Sequence, residues 1–496
     1  MGIIKRQAIG YSLVNYIGIA VGSLSTLFLY PRDEQAYGLF RFLLDGANVL
    51  QPFAMLGAWY VGARMFPVFK NEKNGNNGLW MLLTSLFIVG SCLLAVSFNY
   101  LHPILFSMEK MKDAALFQRY LWTIVPLFVI YGYFVLARQY ASNFLKVIFP
   151  SFLDQLIKIS FPFVFILYLC KIIDLDGLVA GLFVHFTVMI FLAIGYLKKI
   201  NALYWHFPKS DFLTQEQWKS VAMFALYGAI GSGSSMLALR LDTFMITALM
   251  GDFKNTGKFS IASLIGSNIA MPLTAIATIA APIISKAWNE NNILEIKKLY
   301  QKSSENLLLV GMYLFGGVIL CIHDLFALMP KQGDFSAEIT VVYIVGLKSV
   351  VDMATGANDM IIGYSKKYAF NLVAIIVMAV VNIIGNLYFI PRYGIVGAAI
   401  STFISSVMFN FTKFIFIKIQ FDLMPYTFNS VKILLITILF TALCFYIPNI
   451  GHPVLNIIVK GGIFTLFVGA TSLYFDVSED ITFLKQQILR KIGVKR

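Results

Sequence analysis

Charged side chains interrupt otherwise apolar stretches of the sequence. They are Arg41, Asp45, Asp154, Lys158, Arg240, Asp242, Lys348, Asp352, Asp359 and Lys460. A charge in the hydrocarbon of a membrane is costly, so an ionisable residue inside a spanning helix is by default a candidate for ligand binding or ion transfer. The basic members of this set suit an anionic ligand, and the acidic members suit a coupling cation.

Four of these cations are candidates for binding the diphosphate or sugars of an anionic substrate: Arg240, Lys348, Arg41 and Lys158. An Arg side chain can bind phosphate through two parallel hydrogen bonds, whereas Lys acts as a point charge. Arg240 has no acidic residue four positions away, although Asp242 is near in sequence. Arg240 and Lys348 both fall near the centres of their apolar runs, which favours a position facing a cavity.

The acidic residues have two interpretations. As functional groups, three of them are candidates for carrying a coupling proton or sodium ion: Asp352, Asp242 and Asp45. As structural groups, they neutralise nearby cations. Arg41 and Asp45 are four residues apart, as are Asp154 and Lys158, and that spacing places each pair on one face of a helix. Arg41 also lies near a helix end, where a long side chain can extend towards the headgroups.

No motif in the sequence indicates a bound cofactor or a catalytic centre. The four Cys and five His residues are dispersed, so no metal site is expected. The chain lacks a GxxxxGK[ST] phosphate loop, a GxSxG elbow and an HExxH pair. ATP hydrolysis is therefore excluded, and no enzymatic activity is expected. No cofactor is expected either, apart from a possible coupling proton or sodium ion.

The composition requires a membrane around these residues. Of 496 residues, 58% are hydrophobic and 13% are charged, against about 45–50% and about 25% in soluble proteins. A spanning helix needs about 20 apolar residues. Fourteen runs meet that length: 9–30, 37–64, 79–101, 119–140, 145–170, 175–197, 219–250, 257–285, 304–325, 338–362, 367–389, 394–417, 430–447 and 453–475. We therefore predict an all-α polytopic membrane protein with about 14 transmembrane helices.

The net charge of +14 is explained by orientation. With the N-terminus in the cytoplasm, 25 of the 39 Lys and Arg residues fall on the even connections and the tails, and nine fall on the odd connections. Positive residues accumulate on cytoplasmic loops, so we predict that both termini are cytoplasmic and that nucleic acid is not a partner. The tail 479–496 is predicted to form a basic amphipathic helix on the inner leaflet.

The run positions indicate an internal repeat. A shift of 219 residues superimposes the segment beginning at Tyr37-Gly38 on the segment beginning at Thr256-Gly257, and Asp33 on Asp252. The first six runs then map onto the next six, as in transporters built from duplicated halves. The predicted domains are a six-helix bundle at 1–200, its repeat at 201–420, two additional helices at 421–478 and the basic tail at 479–496.

The 6+6+2 arrangement and the second run carry a resemblance to a known family. The stretch from Tyr37 to Asp45, the segment Pro52 to Gly57 and the segment Val61 to Pro67 resemble polysaccharide-export flippases of the O-antigen and capsule type. These belong to the multidrug/oligosaccharidyl-lipid/polysaccharide exporter superfamily. The resemblance covers essentially the whole chain, although its motifs are loose.

The resemblance implies a pair of six-helix bundles that alternates between inward-open and outward-open states in a bacterial plasma membrane. The implied activity flips an undecaprenyl-diphosphate-linked oligosaccharide from the inner to the outer leaflet, for surface polysaccharide or lipopolysaccharide synthesis. The implied partners are that lipid-linked oligosaccharide and membrane lipids, together with a polysaccharide polymerase and glycosyltransferases. Because the intramembrane charges nearly balance, an ion-coupled multidrug or cation antiporter of the same superfamily is the alternative.

Overall fold

The computed structural model of the chain describes residues 17–71, 76–106, 115–144, 148–209, 212–330 and 335–491. Within these ranges the regular elements are helices, and no strand is present. The predicted all-α fold is therefore confirmed. Residues 9–16 of the first predicted run, Lys73, Lys146 and the last five residues of the predicted basic tail lie outside the described ranges.

The chain divides into two compact units, Met1–Ser260 and Ile261–Arg496, which are described separately. The helices of the first unit are 17–28 (α1), Glu34–Ala54 (α2), Ala58–Phe69 (α3), Leu79–Phe106 (α4), Ala115–Leu121 (α5), Ile124–Ser142 (α6), Ile148–Gln155 (α7), Ile157–Leu169 (α8), Leu175–Lys199 (α9) and Gln215–Met250 (α10). The boundary falls inside the next helix, Phe253–Ser267 (α11).

The second unit continues with longer helices. They are Met271–Asn289 (α12), Ile293–Ala327 (α13), Ser336–Ala354 (α14), Asn358–Tyr364 (α15), Ala369–Phe421 (α16), Phe428–Phe445 (α17), Pro453–Tyr474 (α18) and Glu479–Lys491 (α19). Packing of α13 against α14, α17 and α18 forms the centre of this unit.

Helices or closely spaced helix pairs occupy all fourteen predicted runs in the described residues. Ten helical segments there are long and apolar enough to cross a membrane, among them Phe152–Leu169, which joins α7 to α8, and Phe253–Ala277, which joins α11 to α12. The pair α14 and α15, bent by 49°, makes an eleventh. Two predicted runs merge in α16, which is 53 residues long and bends at Gly394 (φ 59°). The second run is split into α2 and α3 at Gly57, whose φ is 69°. The chain is thus a multi-pass membrane protein.

Breaks within the predicted runs follow prolines or precede them. The interruption between α2 and α3 lies just after Pro52, and the 3-10 turn Asn268–Ala270 lies just before Pro272. Proline removes a backbone donor and is tolerated in membrane helices where neighbouring groups satisfy the freed carbonyls.

The C-terminal helix α19 forms as predicted, and its acidic first turn is held by α13. Asp480 lies 2.6 Å from Lys302 Nζ and also accepts a hydrogen bond of 2.6 Å from Asn306 Nδ2. Glu479 lies 3.6 Å from Lys298. The preceding Val477 is buried in the apolar core of the second unit. The attachment of α19 to the protein is therefore both apolar and ionic.

Candidate functional site

In the first unit, a buried carboxylate joins two of the predicted cations. Asp45 of α2 is 1% exposed, and its Oδ2 accepts a hydrogen bond of 2.7 Å from Arg41 one turn earlier. Its other oxygen, Oδ1, lies 3.6 Å from Arg240 of α10 and has no hydrogen-bond donor in the described residues. The cluster carries two positive charges and one negative charge, and so has a net charge of +1.

The same face of α2 continues in polar contacts with α6. Asn48 donates through Nδ2 to the carbonyl oxygen of Leu44 at 2.8 Å, and its side-chain oxygen accepts from the hydroxyl of Tyr131 at 2.9 Å. Arg41, Asp45 and Asn48 are spaced so that they lie along one side of the helix. These contacts fix the face of α2 that carries the two charges.

The guanidinium of Arg240 is the more accessible cation of this cluster. Its side chain is 43% exposed, against 18% for Arg41. Asp242 is two residues further on the same helix and is buried. Two residues turn a helix by about 200°, so Arg240 and Asp242 point in different directions. Arg240 therefore combines a loose ion pair with an open side, as a ligand-binding cation requires.

The spacing of Asp154 and Lys158 suggested that these two residues would pair. Asp154 forms its ion pair with Arg138 of α6 instead. Leu156, between α7 and α8, keeps helical backbone angles (φ −61°, ψ −27°), so the helical path continues from Asp154 to Lys158. The stem of Lys158 packs against Gly22 of α1, where a β-carbon on Gly22 would lie 3.5 Å from Lys158 Cδ.

In the second unit, Lys348 and Asp352 of α14 form the other predicted cluster. Lys348 Nζ lies 2.7 Å from Asp352 Oδ2. The other carboxylate oxygen accepts from Ser406 Oγ at 2.6 Å and from Asn410 Nδ2 at 2.7 Å, both on α16. Three donors therefore surround the carboxylate of Asp352. The pair is neutral overall, so Lys348 contributes no excess positive charge.

The break between α14 and α15 is part of this polar cluster. Gly356 has φ of 59°, in the left-handed region that favours glycine. Asn410 receives a hydrogen bond of 3.1 Å from Thr355 Oγ1 and one of 3.4 Å from Asn358 Nδ2. Ser304 of α13 donates to the carbonyl oxygen of Ala354 at 2.6 Å, which satisfies a group freed by the break. The broken span is thus held by side chains from α13 and α16.

One turn beyond this cluster, a fully buried lysine forms an ion pair that the sequence did not predict. Lys413 of α16 pairs with Asp359 of α15, and its Nζ lies 4.0 Å from the centroid of the Phe409 ring. Lys413 is one of the 25 Lys and Arg residues counted above on cytoplasmic connections and tails. Its placement on a connection is wrong, because the residue is buried within the packed part of α16. Its spacing from Ser406 and Asn410, by seven and three residues, could have indicated a shared polar face.

Lys460 of α18, which also interrupts an apolar run, contacts a side-chain amide in the connection between α17 and α18. Its Nζ donates to Asn449 Oδ1 at 2.7 Å. Neither unit brings three potential metal-binding side chains together in the described ranges. The arrangement therefore offers one cation-rich cluster in the first unit and one neutral, tightly hydrogen-bonded cluster in the second.

No protein-family model matches the chain, and no curated protein matches it. Solved transporters of one superfamily do share its fold. The chain superposes on the lipid II flippase MurJ, in an inward closed conformation, with a TM-score of 0.72 and 13% identity over 94% of this chain and 99% of that chain. This likeness establishes the fold.

Two further solved structures of the MOP superfamily are similar over slightly less of the chain. A transporter from Pyrococcus furiosus, described as having a binding pocket of reverse polarity, gives a TM-score of 0.57 at 13% identity, covering 85% of this chain and 95% of that chain. An outward-facing multidrug resistance MATE transporter gives 0.57 at 15% identity, covering 84% and 96%. The chain has the fold of MOP-superfamily transporters.

Proposed function

We propose that the protein is an alternating-access transporter that flips an undecaprenyl-diphosphate-linked oligosaccharide from the inner to the outer leaflet of a bacterial plasma membrane. The observation that carries this proposal is the cluster in which Arg41 and Arg240 share the buried carboxylate of Asp45. Its net positive charge and the open side of Arg240 suit a diphosphate. The similarity of fold to a lipid II flippase supports the same substrate class.

The charges of the cluster suggest how a diphosphate would bind. Arg240 is held by Asp45 at 3.6 Å, longer than a normal hydrogen bond. A phosphate oxygen can make a shorter, charge-assisted contact with a guanidinium. A phosphate group of the substrate would therefore replace Asp45 as the partner of Arg240 at little cost in free energy. Asp45 would keep its hydrogen bond of 2.7 Å to Arg41. Arg240 is the residue that we expect to bind the diphosphate first.

The setting of this function follows from the charge distribution. Both termini are proposed to be cytoplasmic, because 25 of the 39 Lys and Arg residues were assigned to that side. The substrate would come from glycosyltransferases at the inner leaflet and be passed to a polysaccharide polymerase outside, in O-antigen or capsule synthesis. Lys348 and Lys158 remain proposed contacts for the sugars or diphosphate.

An ion-coupled multidrug or cation antiporter is the second candidate, and the buried acids favour it. Asp45 and Asp242 are buried, and Asp352 is held by three donors within the membrane. A carboxylate in a membrane helix is a group on which a cation or proton can bind. The fold similarity to MATE transporters is compatible with this candidate.

The two candidates are separated by a reconstituted assay. The purified protein is placed in vesicles with an undecaprenyl-diphosphate-linked oligosaccharide that carries a fluorescent group on the glycan, and its appearance in the opposite leaflet is followed by a quencher. We expect flipping by the wild type, loss in Arg240→Gln, and normal flipping in Arg392→Gln, which removes an exposed arginine. Efflux of a cationic dye driven by a proton or sodium gradient, without glycolipid flipping, would instead establish the antiporter.

A further inference from the structure

An open cavity lies at one end of the first unit, away from the charge cluster of α2. It has a volume of about 810 Å³ and is formed by the residue preceding α2, the end of α8, the connection to α9 and the start of α9. Its polar lining residues are Asp33, Tyr168, Lys171 and Asp174, and the exposed Ile172 is among its apolar ones. The predicted topology places this end of the unit on the outer side of the membrane.

The two carboxylates of the cavity are held in fixed positions. Asp33 Oδ1 accepts the backbone N–H groups of Gln35 and Ala36 at 3.1 and 3.0 Å, and Oδ2 accepts the hydroxyl of Tyr168 at 2.8 Å. Asp174 Oδ1 accepts the N–H of Gly177 at 2.9 Å at the start of α9. Each carboxylate oxygen has two lone-pair positions, so both groups keep room to accept from a ligand.

The combination of groups in the cavity discriminates among ligand classes. Two carboxylates repel a phosphate, and the charged lining does not suit a lipid tail. A metal ion is disfavoured because the described residues contain no group of three metal-binding side chains. A sugar presents hydroxyl groups that donate to carboxylates and accept from Lys171. Its apolar face can pack against Tyr168 and Ile172.

We infer that this cavity binds the hydroxyl groups of a neutral oligosaccharide. Its role rests on the proposed function: at the outer end of the first unit, it would hold the glycan after the lipid-linked substrate has crossed the membrane. Asp33 and Asp174 accept the hydroxyl hydrogens, and Lys171 donates to a ring or hydroxyl oxygen. The tyrosine ring is half-buried beside Asp33, where it supplies a flat apolar surface.

The test is direct binding of soluble sugars, which needs no transport. The full-length protein in lipid nanodiscs is titrated with maltotetraose, cellotetraose and chitotetraose, and contact is followed by saturation-transfer NMR. We expect at least one of them to bind the wild type. Asp33→Asn keeps the oxygen that caps α2 and should weaken binding about tenfold, the equivalent of about 1.4 kcal/mol for a lost charge-assisted hydrogen bond. Lys171→Gly, in an exposed connection with φ of 59° that glycine adopts readily, should weaken it similarly.

The chain supplies a matched control in Asp252, the residue that the 219-residue shift places on Asp33. Asp252 Oδ1 also accepts from a backbone N–H at the start of a helix, that of Lys254 at 2.7 Å, and the residue is not part of the cavity. Asp252→Asn should therefore bind sugars as the wild type does. Equal weakening in Asp33→Asn and Asp252→Asn would overturn the inference, because it would reflect a general effect on helix ends.

Two other results would overturn the inference independently of the proposed function. One is the absence of binding by all three sugars to a wild-type protein that flips the labelled glycolipid. The other is wild-type affinity in both Asp33→Asn and Lys171→Gly. Conversely, sugar binding that is lost in these variants, in a protein that does not flip the glycolipid, would support the cavity and contradict the proposed function.

Discussion

Gly38 of α2 and Gly257 of α11 lie at a close crossing of the two helices. A β-carbon on Gly38 would lie 1.7 Å from the carbonyl oxygen of Phe253, and one on Gly257 would lie 2.0 Å from that of Glu34. The contact is reciprocal, because each glycine faces the carbonyl four residues before its counterpart. These are the two glycines that the 219-residue shift superimposes. Their packing requires the absence of a side chain on both helices.

Alanine at either position should therefore destabilise the protein. We expect Gly38→Ala and Gly257→Ala to lower the free energy of unfolding by about 1–3 kcal/mol, the range for overpacking, since backbone atoms cannot move aside as a flexible side chain can. Thermal unfolding in detergent, followed by size-exclusion chromatography, measures the effect. Gly195→Ala is the control, because nothing lies within 4 Å of its added carbon. Unchanged melting in Gly38→Ala would contradict the close crossing.

The carboxylate of Asp45 should matter for folding, and Arg240 should matter for transport. Asp45→Asn leaves Arg41 and Arg240 without their shared acid, and breaking a buried ion pair costs about 3–5 kcal/mol. We expect a lower melting temperature for Asp45→Asn.

Arg240→Gln keeps the Arg41–Asp45 pair, so it should reach the membrane with a melting temperature near that of the wild type but fail to flip the glycolipid. A folded Arg240→Gln protein with normal flipping would contradict the proposed diphosphate contact.

The sequence was sufficient to locate the helices, but it did not identify the partners of the charged residues. Helix positions follow from hydropathy because the hydrocarbon thickness sets the length of each apolar run. Arg41 and Asp45 were identifiable as neighbours because their spacing lies within one helix. Asp45 and Arg240 come from distant parts of the chain, so their contact depends on how α2 packs against α10. No local pattern encodes that packing.

Two charged residues have partners that no local spacing indicated. Asp154 lies four residues before Lys158, but the ion pair that it forms is with Arg138, which comes from α6. Lys413 was counted with the cytoplasmic connections, although it lies within the predicted run 394–417. In the structure α16 continues to Phe421, and the buried lysine is neutralised by Asp359 and stacked on Phe409.

The pair between Lys413 and Asp359 predicts a double-mutant effect. Asp359→Ala leaves a buried ammonium without its counter-ion. Because the Asp359 side chain is 62% exposed, we expect a loss of about 2 kcal/mol, below the range for a fully buried pair. Adding Lys413→Met should recover most of that loss. Lys418→Met, which removes the exposed partner of Asp422, should leave the melting temperature unchanged. Additive effects of the two substitutions would contradict the pairing.

If Asp352 is the coupling residue, Asp352→Asn should change the pH or sodium dependence of transport. The substitution removes the charge that holds Lys348 while Ser406 and Asn410 keep an oxygen to which they can donate. Transport in vesicles is measured across a series of pH values and sodium concentrations. Ser406→Ala, which removes one hydrogen bond and retains the carboxylate, should preserve the wild-type dependence. An unchanged profile in Asp352→Asn would eliminate Asp352 as the coupling residue.

In the structure the membrane span of this region begins at Ile124, after α5 and later than the predicted run 119–140. Tyr120 of α5 therefore lies outside the span, and it predicts how stability should vary at high pH. Its hydroxyl donates to Asp176 Oδ1 at 2.5 Å. Burial, followed by the hydrogen bond and the negative charge of Asp176, raises the pKa of Tyr120 to about 12, from about 10 in an unfolded chain. The protonated form is therefore favoured by folding. Its contribution to stability is fully present below about pH 10 and is lost as the pH rises through about 12.

The comparison of wild type with Tyr120→Phe isolates this contribution from the other titrating groups. The phenylalanine variant lacks the hydrogen bond at every pH, so the difference in melting temperature should be constant up to about pH 10 and should shrink between about pH 10 and 12. The difference in tyrosinate absorbance between the wild type and Tyr120→Phe should correspond to one residue that titrates at about pH 12. A difference that stays constant through about pH 12 would contradict the raised pKa of Tyr120, because a tyrosine with the same pKa in the folded and unfolded chain makes no pH-dependent contribution to stability.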